Sequence, residues 1–162
     1  MATDPQQIVA RLTARGATVS TAESLTGGRL AASLTSVPGA SSCVVGGIVA
    51  YATEVKVTVL GVPADLVAEH GVVSEECAAA MAAGARDLLG TTYAMATTGV
   101  AGPDPQEGHP AGHVWVAVAG PEGVETRLLA LSGDRSEVQD ATCRHALSVL
   151  EGMLIREEPA LG

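Results

Sequence analysis

Between Ala17 and Pro38 the sequence changes character in the way that most limits its fold. Ala17 to Thr21 reads as a strand running into Glu23-Ser24-Leu25-Thr26-Gly27-Gly28, and Arg29 to Thr35 then resumes at helical spacing until Pro38-Gly39 stops it. A strand that enters a helix through a glycine turn is the unit of an α/β layer, because the helix must lie back on the sheet that the strand joins. The rest of the chain repeats this alternation. Asp4 followed by Pro5 predicts an N-cap and first helical position, with Ile8, Val9 and Leu12 sharing a face and Gly16 closing the helix. Cys43 to Ala52, rich in Val and Ile with Gly46 and Gly47 inside, predicts a buried strand with a bulge or a close backbone approach. Thr53 can cap a helix that Gly61 ends, and Asp65 to His70 is a brief helical piece. Ser74 caps a longer, alanine-rich helix with Glu75 and Glu76 in its first turn and Gly90 at its end.

Thr92 to Thr98 then predicts a strand feeding a loop, Gly99 to Gly112, that holds four glycines and three prolines. Val114 to Ala119 and Val124 to Leu131 form a hairpin through Pro121-Glu122-Gly123, and a last helix follows Ser132-Gly133-Asp134. Strands alternating with helices and ending in a hairpin argue for a single-domain, three-layer α/β/α sandwich over residues 1–162 with a mixed central sheet. In open sheets of this kind ligands lie off the carboxyl ends of the strands. Ser24 to Gly28, Tyr51 to Lys56 and Thr98 to Gly102 are three of the loops expected there.

Composition narrows the function. With 162 residues, 47% of them apolar and 17% charged, the chain can bury a core and is no disordered acidic tail. Its formal net charge of -9 and lack of a basic cluster argue against nucleic acid as a partner, and Tyr51, Tyr93 and Trp115 are too few for a base-stacking platform. The longest apolar run, Cys43 to Ala52, is about half a membrane span, and no leader follows Met1, so neither membrane nor export is expected. Cys43, Cys77 and Cys143 are odd in number and widely spaced, which suits free thiols in a reducing cytoplasm. No His and carboxylate spacing resembles a metal site, and neither metal nor cofactor is expected.

Eight of the nine basic residues are arginine, leaving Lys56 as the only lysine. Arginine keeps its proton in a protein, whereas a desolvated lysine can lose its own and act as a base, so a lone lysine suggests a need for the amine itself. Ser24 is the nucleophile such a base would serve, with Gly27 and Gly28 turning backbone N–H groups toward an oxyanion or a phosphate. The plainer alternatives are a solvated lysine on a helix face and a serine that, with Thr26, only caps a helix. Among the histidines, His70 reads as a helix-end residue and His145 as packed in the last helix, while His109 and His113 border the glycine loop and rival Lys56 as the base. Tyr51 and Thr98 end strands and can bring a phenol and a hydroxyl to the same rim. Arg135 opens the last helix, where it either clamps a phosphate or carboxylate or pairs with Asp134 or Glu137.

Taken together, Thr21-Ala22-Glu23-Ser24-Leu25-Thr26-Gly27-Gly28, Tyr51 with Lys56, Thr98-Gly99-Val100-Ala101-Gly102-Pro103-Asp104, Gly112-His113-Val114-Trp115 and Ser132-Gly133-Asp134-Arg135 resemble the CinA C-terminal domain family, in order and spacing, from about Ile8 to Leu154. Members are known as nicotinamide-nucleotide amidohydrolases, or NMN deamidases, which convert nicotinamide mononucleotide and water to nicotinate mononucleotide and ammonia in pyridine nucleotide salvage. The resemblance implies a compact α/β sandwich, a homodimer, a small-molecule nucleotide substrate and a cytoplasmic setting. It also implies that Ser24 attacks the carboxamide, that Lys56 activates it and that Tyr51 and Thr98 complete the catalytic site, with Thr26, Gly27, Gly28, Gly99 and Arg135 binding substrate.

The chain departs from the family pattern at Leu25, where Cys is common, at Thr53, where Asn is common, and at Gln139 and Asp140, where an arginine is often found. Phosphate recognition is therefore expected of Arg135 or Arg144. The same departures frame an alternative, a non-catalytic module that binds a pyridine nucleotide without cleaving it. Some members carry this domain behind a larger one linked to competence; that role is not expected here, and a scaffold role in DNA uptake or repair finds no basic surface in the sequence.

Overall fold

The structure, a computed structural model, describes residues 3–160; Met1, Ala2, Leu161 and Gly162, the ends of the expected 1–162 domain, lie outside the described residues. Local sequence accounts for most of the helices. Helix α1 (Pro5–Ala14) starts at Asp4, whose side chain accepts from Gln6 N–H, and α5 (Glu75–Leu89) starts at Ser74, whose hydroxyl accepts from Cys77 N–H and whose far end closes on Gly90 at φ +64°. Helix α2 (Arg29–Thr35) covers the expected range. Helix α3 (Thr53–Thr58) takes Thr53 as its first residue rather than its cap, and α4 (Ala64–His70) follows. Helix α6 (Arg135–Arg156) opens with a capping box in which Asp134 and Glu137 satisfy each other's backbone N–H groups.

Strands β1 (Val19–Glu23), β2 (Val44–Val49), β3 (Tyr93–Gly99), β4 (His113–Gly120) and β5 (Gly123–Ala130) form one sheet in the order β2-β1-β3-β4-β5. The first three run parallel and the β4–β5 hairpin is antiparallel, so the sheet is mixed as expected. From β1 the chain passes through α2 to β2 at the edge, then returns through α5 to β3 on the far side of β1. The carboxyl ends of β1 and β3 therefore diverge, which opens the crevice where α/β sheets hold ligands.

Helices lie on both faces, giving the three layers. One face carries Val19, Met95, Val114, Val116 and Val118 against α1, α2 and α6. The other carries Ala22, Ala94, Ala96, Ala117 and Ala119 against Cys77, Ala78, Met81, Ala82 and Ala85 of α5. Small residues facing small residues let α5 lie close to the sheet. Gly84 extends this tight fit outward, since a Cβ there would sit 1.9 Å from the carbonyl oxygen of Leu60.

One expectation needs correction. The segment from Cys43 to Ala52 is not a buried strand: only Val44–Val49 pairs, it forms an edge of the sheet, and Val45 and Val49 are exposed. A run of Val and Ile suits an edge as well as a centre, and only strand order decides between them. The expected irregularity is present: the β1–β2 register shifts between Val19 and Ser20, and a Cβ on Gly47 would lie 2.2 Å from Thr21 Oγ1.

Candidate functional site

Three parallel strands deliver their carboxyl ends to one edge, and the side chains singled out by sequence gather there. A cavity of about 390 Å³ is lined by Ser24 after β1, Tyr51, Thr53 and Lys56 after β2, Thr98 and Gly99 at the end of β3, and Arg135 at the start of α6. Val72 and Val73, between α4 and α5, and the loop from Val100 to Gln106 complete its walls.

Lys56 is 1% exposed although lysine is almost never buried without partners. Its Nζ donates to Ser24 Oγ at 2.9 Å, to the Ala50 carbonyl at 2.8 Å and to the Tyr51 carbonyl at 3.2 Å. Three acceptors match the three protons of an ammonium. When one proton leaves, the two carbonyls retain the remaining N–H groups and the nitrogen lone pair faces Ser24 Oγ, the orientation a general base needs. Burial pulls the Lys56 pKa below its ordinary value, and the Cys77 thiol when ionised and the Glu107 carboxylate oppose that shift. The Cys77 thiol is itself pushed up to about 11, chiefly by burial, so it is neutral near pH 7.

Ser24 is held from below. Its N–H donates to the Thr97 carbonyl at 3.0 Å and to Thr97 Oγ1 at 3.3 Å, and Thr97 Oγ1 lies 2.9 Å from Thr26 Oγ1. Thr26 Oγ1 in turn donates to Glu23 at 2.6 Å. Glu23 is 1% exposed, and its carboxylate also accepts from the N–H groups of Leu30 and Ala31 at 2.8 and 3.0 Å. An anion does occupy the N-terminus of α2, but it is this carboxylate of the chain itself. Thr26, Gly27 and Gly28 are accordingly not among the cavity-lining residues. Gly27 and Gly28, at φ +58° and +105°, shape the turn, and Gly27 N–H is committed to the Ser24 carbonyl.

The remaining candidates separate. The Tyr51 phenol does not meet Lys56; the residue is 61% exposed and its hydroxyl accepts from Arg135 Nη2 at 2.9 Å, while its backbone carbonyl makes the contact to the lysine. Arg135 also donates from Nη1 to the Gly102 carbonyl at 2.6 Å, so it pairs with neither Asp134 nor Glu137. Thr98 lines the cavity with its hydroxyl donating to the Val72 carbonyl at 2.7 Å. His109 and His113 stack on each other with centroids 4.1 Å apart and are not among the lining residues, which leaves Lys56 as the candidate base in contact with Ser24.

Two of the departures have structural work. Gln139 Nε2 donates to the Leu25 carbonyl at 2.8 Å and ties α6 to the turn that carries Ser24, and Asp140 pairs with Arg29 at 2.8 Å. Sequence reasoning missed Glu23, Thr97 and Glu107. For Glu23 a signal was present, an acid in step with Val19 and Thr21 on one face of a buried strand; for Glu107 there was none beyond its place in the glycine loop.

Comparison with known proteins gives the family of the chain. The CinA C-terminal domain family matches over residues 2–154. A CinA-like protein of Frankia casuarinae is 52% identical over 147 residues, covering 91% of this chain and 34% of its own length. The chain thus spans about a third of the length of the curated relatives it matches. A crystal structure of a competence-damaged protein (CinA) superfamily protein from Klebsiella pneumoniae superimposes with TM-score 0.91 at 37% identity, covering 94% of this chain and 96% of that one. A CinA superfamily protein from Escherichia coli gives 0.90 at 32% identity, with 92% and 87% covered. In sequence over nearly its whole length, and in fold, this chain belongs to the CinA C-terminal domain family.

Proposed function

We propose that the protein is an amidohydrolase that converts nicotinamide mononucleotide and water to nicotinate mononucleotide and ammonia through a serine-lysine mechanism. The observation that carries this reading is the 2.9 Å contact between Lys56 Nζ and Ser24 Oγ on the wall of the cavity. Neutral Lys56 takes the hydroxyl proton as Ser24 Oγ bonds to the carboxamide carbon. The resulting ammonium returns that proton to the amide nitrogen, the C–N bond breaks and ammonia leaves an ester on Ser24. Lys56 then takes a proton from water as it attacks the ester and returns it to Ser24 Oγ as the acyl C–O bond breaks, and the acid product leaves as its carboxylate with release of a proton to solvent.

The tetrahedral oxyanion needs backbone donors, each worth about 3 kcal/mol in such sites. Gly27 and Val100 N–H groups are committed to the carbonyls of Ser24 and His113, so the donors are other N–H groups of the Ser24 turn and of the Gly99–Gly102 segment. Thr98 positions the wall beside the carboxamide. Arg135, fixed by Tyr51 and Gly102, keeps unspent N–H groups for the substrate phosphate.

The test is ammonia release from nicotinamide mononucleotide by the purified protein, with Ser24→Ala and Lys56→Arg each expected to lower turnover by about three orders of magnitude. Full turnover in Lys56→Arg would sink the base assignment. Tight binding of the nucleotide by calorimetry with no product would favour the non-catalytic binding module. The same proposal includes a cytoplasmic homodimer, checked by sedimentation. No helix of the described residues is long and apolar enough to cross a membrane.

A further inference from the structure

The loop from Gly99 to Gly112 walls the cavity and is pinned at a point remote from both its ends. Glu107 takes φ +51°, the one non-glycine residue with positive φ among the described residues, and such a conformation is strained for a side-chain-bearing residue. Its carboxylate accepts from Val73 N–H at 2.7 Å and from Val72 N–H at 3.1 Å, one oxygen to each. Gly71, at φ +76°, leaves the space for it, since a Cβ there would lie 2.6 Å from Glu107 Oε2. Val72 and Val73 line the cavity, and the Val72 carbonyl receives the Thr98 hydroxyl. Two walls from distant parts of the chain are thus joined by the Glu107 carboxylate within the loop, in addition to the Thr98 hydroxyl just before it.

We propose that Glu107 is a positioning residue of the serine-lysine site, latching the Gly99–Gly112 loop to the Val72–Val73 backbone that lines the cavity with Lys56, so that its carboxylate acts on the lysine. The proposal builds on the function assigned above, but its two physical parts are measurable without turnover. The groups that bear on Lys56 are Ser24 from the β1–α2 turn, Cys77 from α5 and Glu107 from the loop, while Asp104 of the loop and Arg135 of α6 are the other charged residues lining the cavity. With Cys77 neutral near pH 7, the Glu107 carboxylate is the charge that favours the ammonium form of Lys56 against the effect of burial.

Because Lys56 is the only lysine, protein labelled with ¹⁵N at lysine Nζ gives a single side-chain resonance whose pH titration reports this residue alone. Glu107→Gln keeps the size and an acceptor oxygen but removes the charge, and its Lys56 titration is expected at lower pH than in the wild type. Glu107→Ala removes the latch, and exchange of the Val72 and Val73 amides is expected to quicken by about tenfold or more. If the nucleotide is the substrate, Glu107→Gln also moves the acidic limb of kcat/KM to lower pH and Glu107→Ala raises KM. An unmoved Lys56 resonance in Glu107→Gln, or unchanged exchange at Val72 and Val73 in folded Glu107→Ala, overturns the proposal. A wild type that releases no ammonia yet shows both effects overturns the assigned function and leaves the latch standing.

Discussion

Lys56 Nζ lies 2.9 Å from Ser24 Oγ, with the carbonyls of Ala50 and Tyr51 taking its other two N–H groups. The end of β2 and the start of α3 aim the amine, and burial lowers its proton affinity. Geometry and electrostatics act on the same atom.

That coupling sets a pH dependence. Burial holds the folded-state pKa of Lys56 below the ordinary 10.5, so kcat/KM for amide cleavage should rise with pH along a limb that titrates below 10.5. Between the folded pKa and 10.5 the unfolded chain binds more protons, so the lysine's contribution to stability improves as pH rises through that window and is unfavourable below it. Urea unfolding of the wild type and Lys56→Met across that range should show the variant's relative stability falling as pH rises. A pH-independent difference would contradict it.

Glu23 predicts a different loss. Its carboxylate holds Thr26 and two N–H groups of α2 beneath the nucleophile. Glu23→Gln should cost about 2 to 3 kcal/mol in denaturant unfolding with an unchanged m-value, because an amide has one acceptor oxygen and an NH2 donor where the carboxylate takes three bonds on two oxygens. Activity should fall as well, since Ser24 shares the network through Thr97. A variant of wild-type stability would show that the network is replaceable.

At Gly84 the sign of an ordinary helix substitution should reverse. Glycine to alanine in a helix interior normally gains about 1 kcal/mol. Here the added Cβ would meet the Leu60 carbonyl oxygen at 1.9 Å, and overpacking of that sort costs about 1 to 3 kcal/mol. Gly84→Ala should melt a few degrees below the wild type. A rise in Tm would mean that the α3–α4 connection yields.

Arg135 divides substrate binding from chemistry. Arg135→Met should raise KM for nicotinamide mononucleotide by about tenfold or more, as expected for a lost charge-assisted bond to phosphate, and leave the riboside unaffected. Equal losses on both substrates would place the arginine in a structural role at Tyr51 and Gly102, with no phosphate contact.

The helix boundaries at Asp4, Ser74, Gly90 and Asp134, the glycine turn after Ser24 and the oddity of a single lysine are written in the amino-acid order alone. These were legible because a cap satisfies backbone groups within three or four residues and a glycine turn is a local conformational demand. Packing of distant segments makes Val44–Val49 an edge strand, brings the Tyr51 carbonyl rather than its phenol to Lys56, and carries Gln139 to the Leu25 carbonyl 114 residues away. It also decided that Glu23 fills the helix N-terminus that the glycine turn had suggested for a phosphate. Each of these depends on strand order and on which groups converge when distant segments pack, and hydropathy pattern constrains burial without naming the partner.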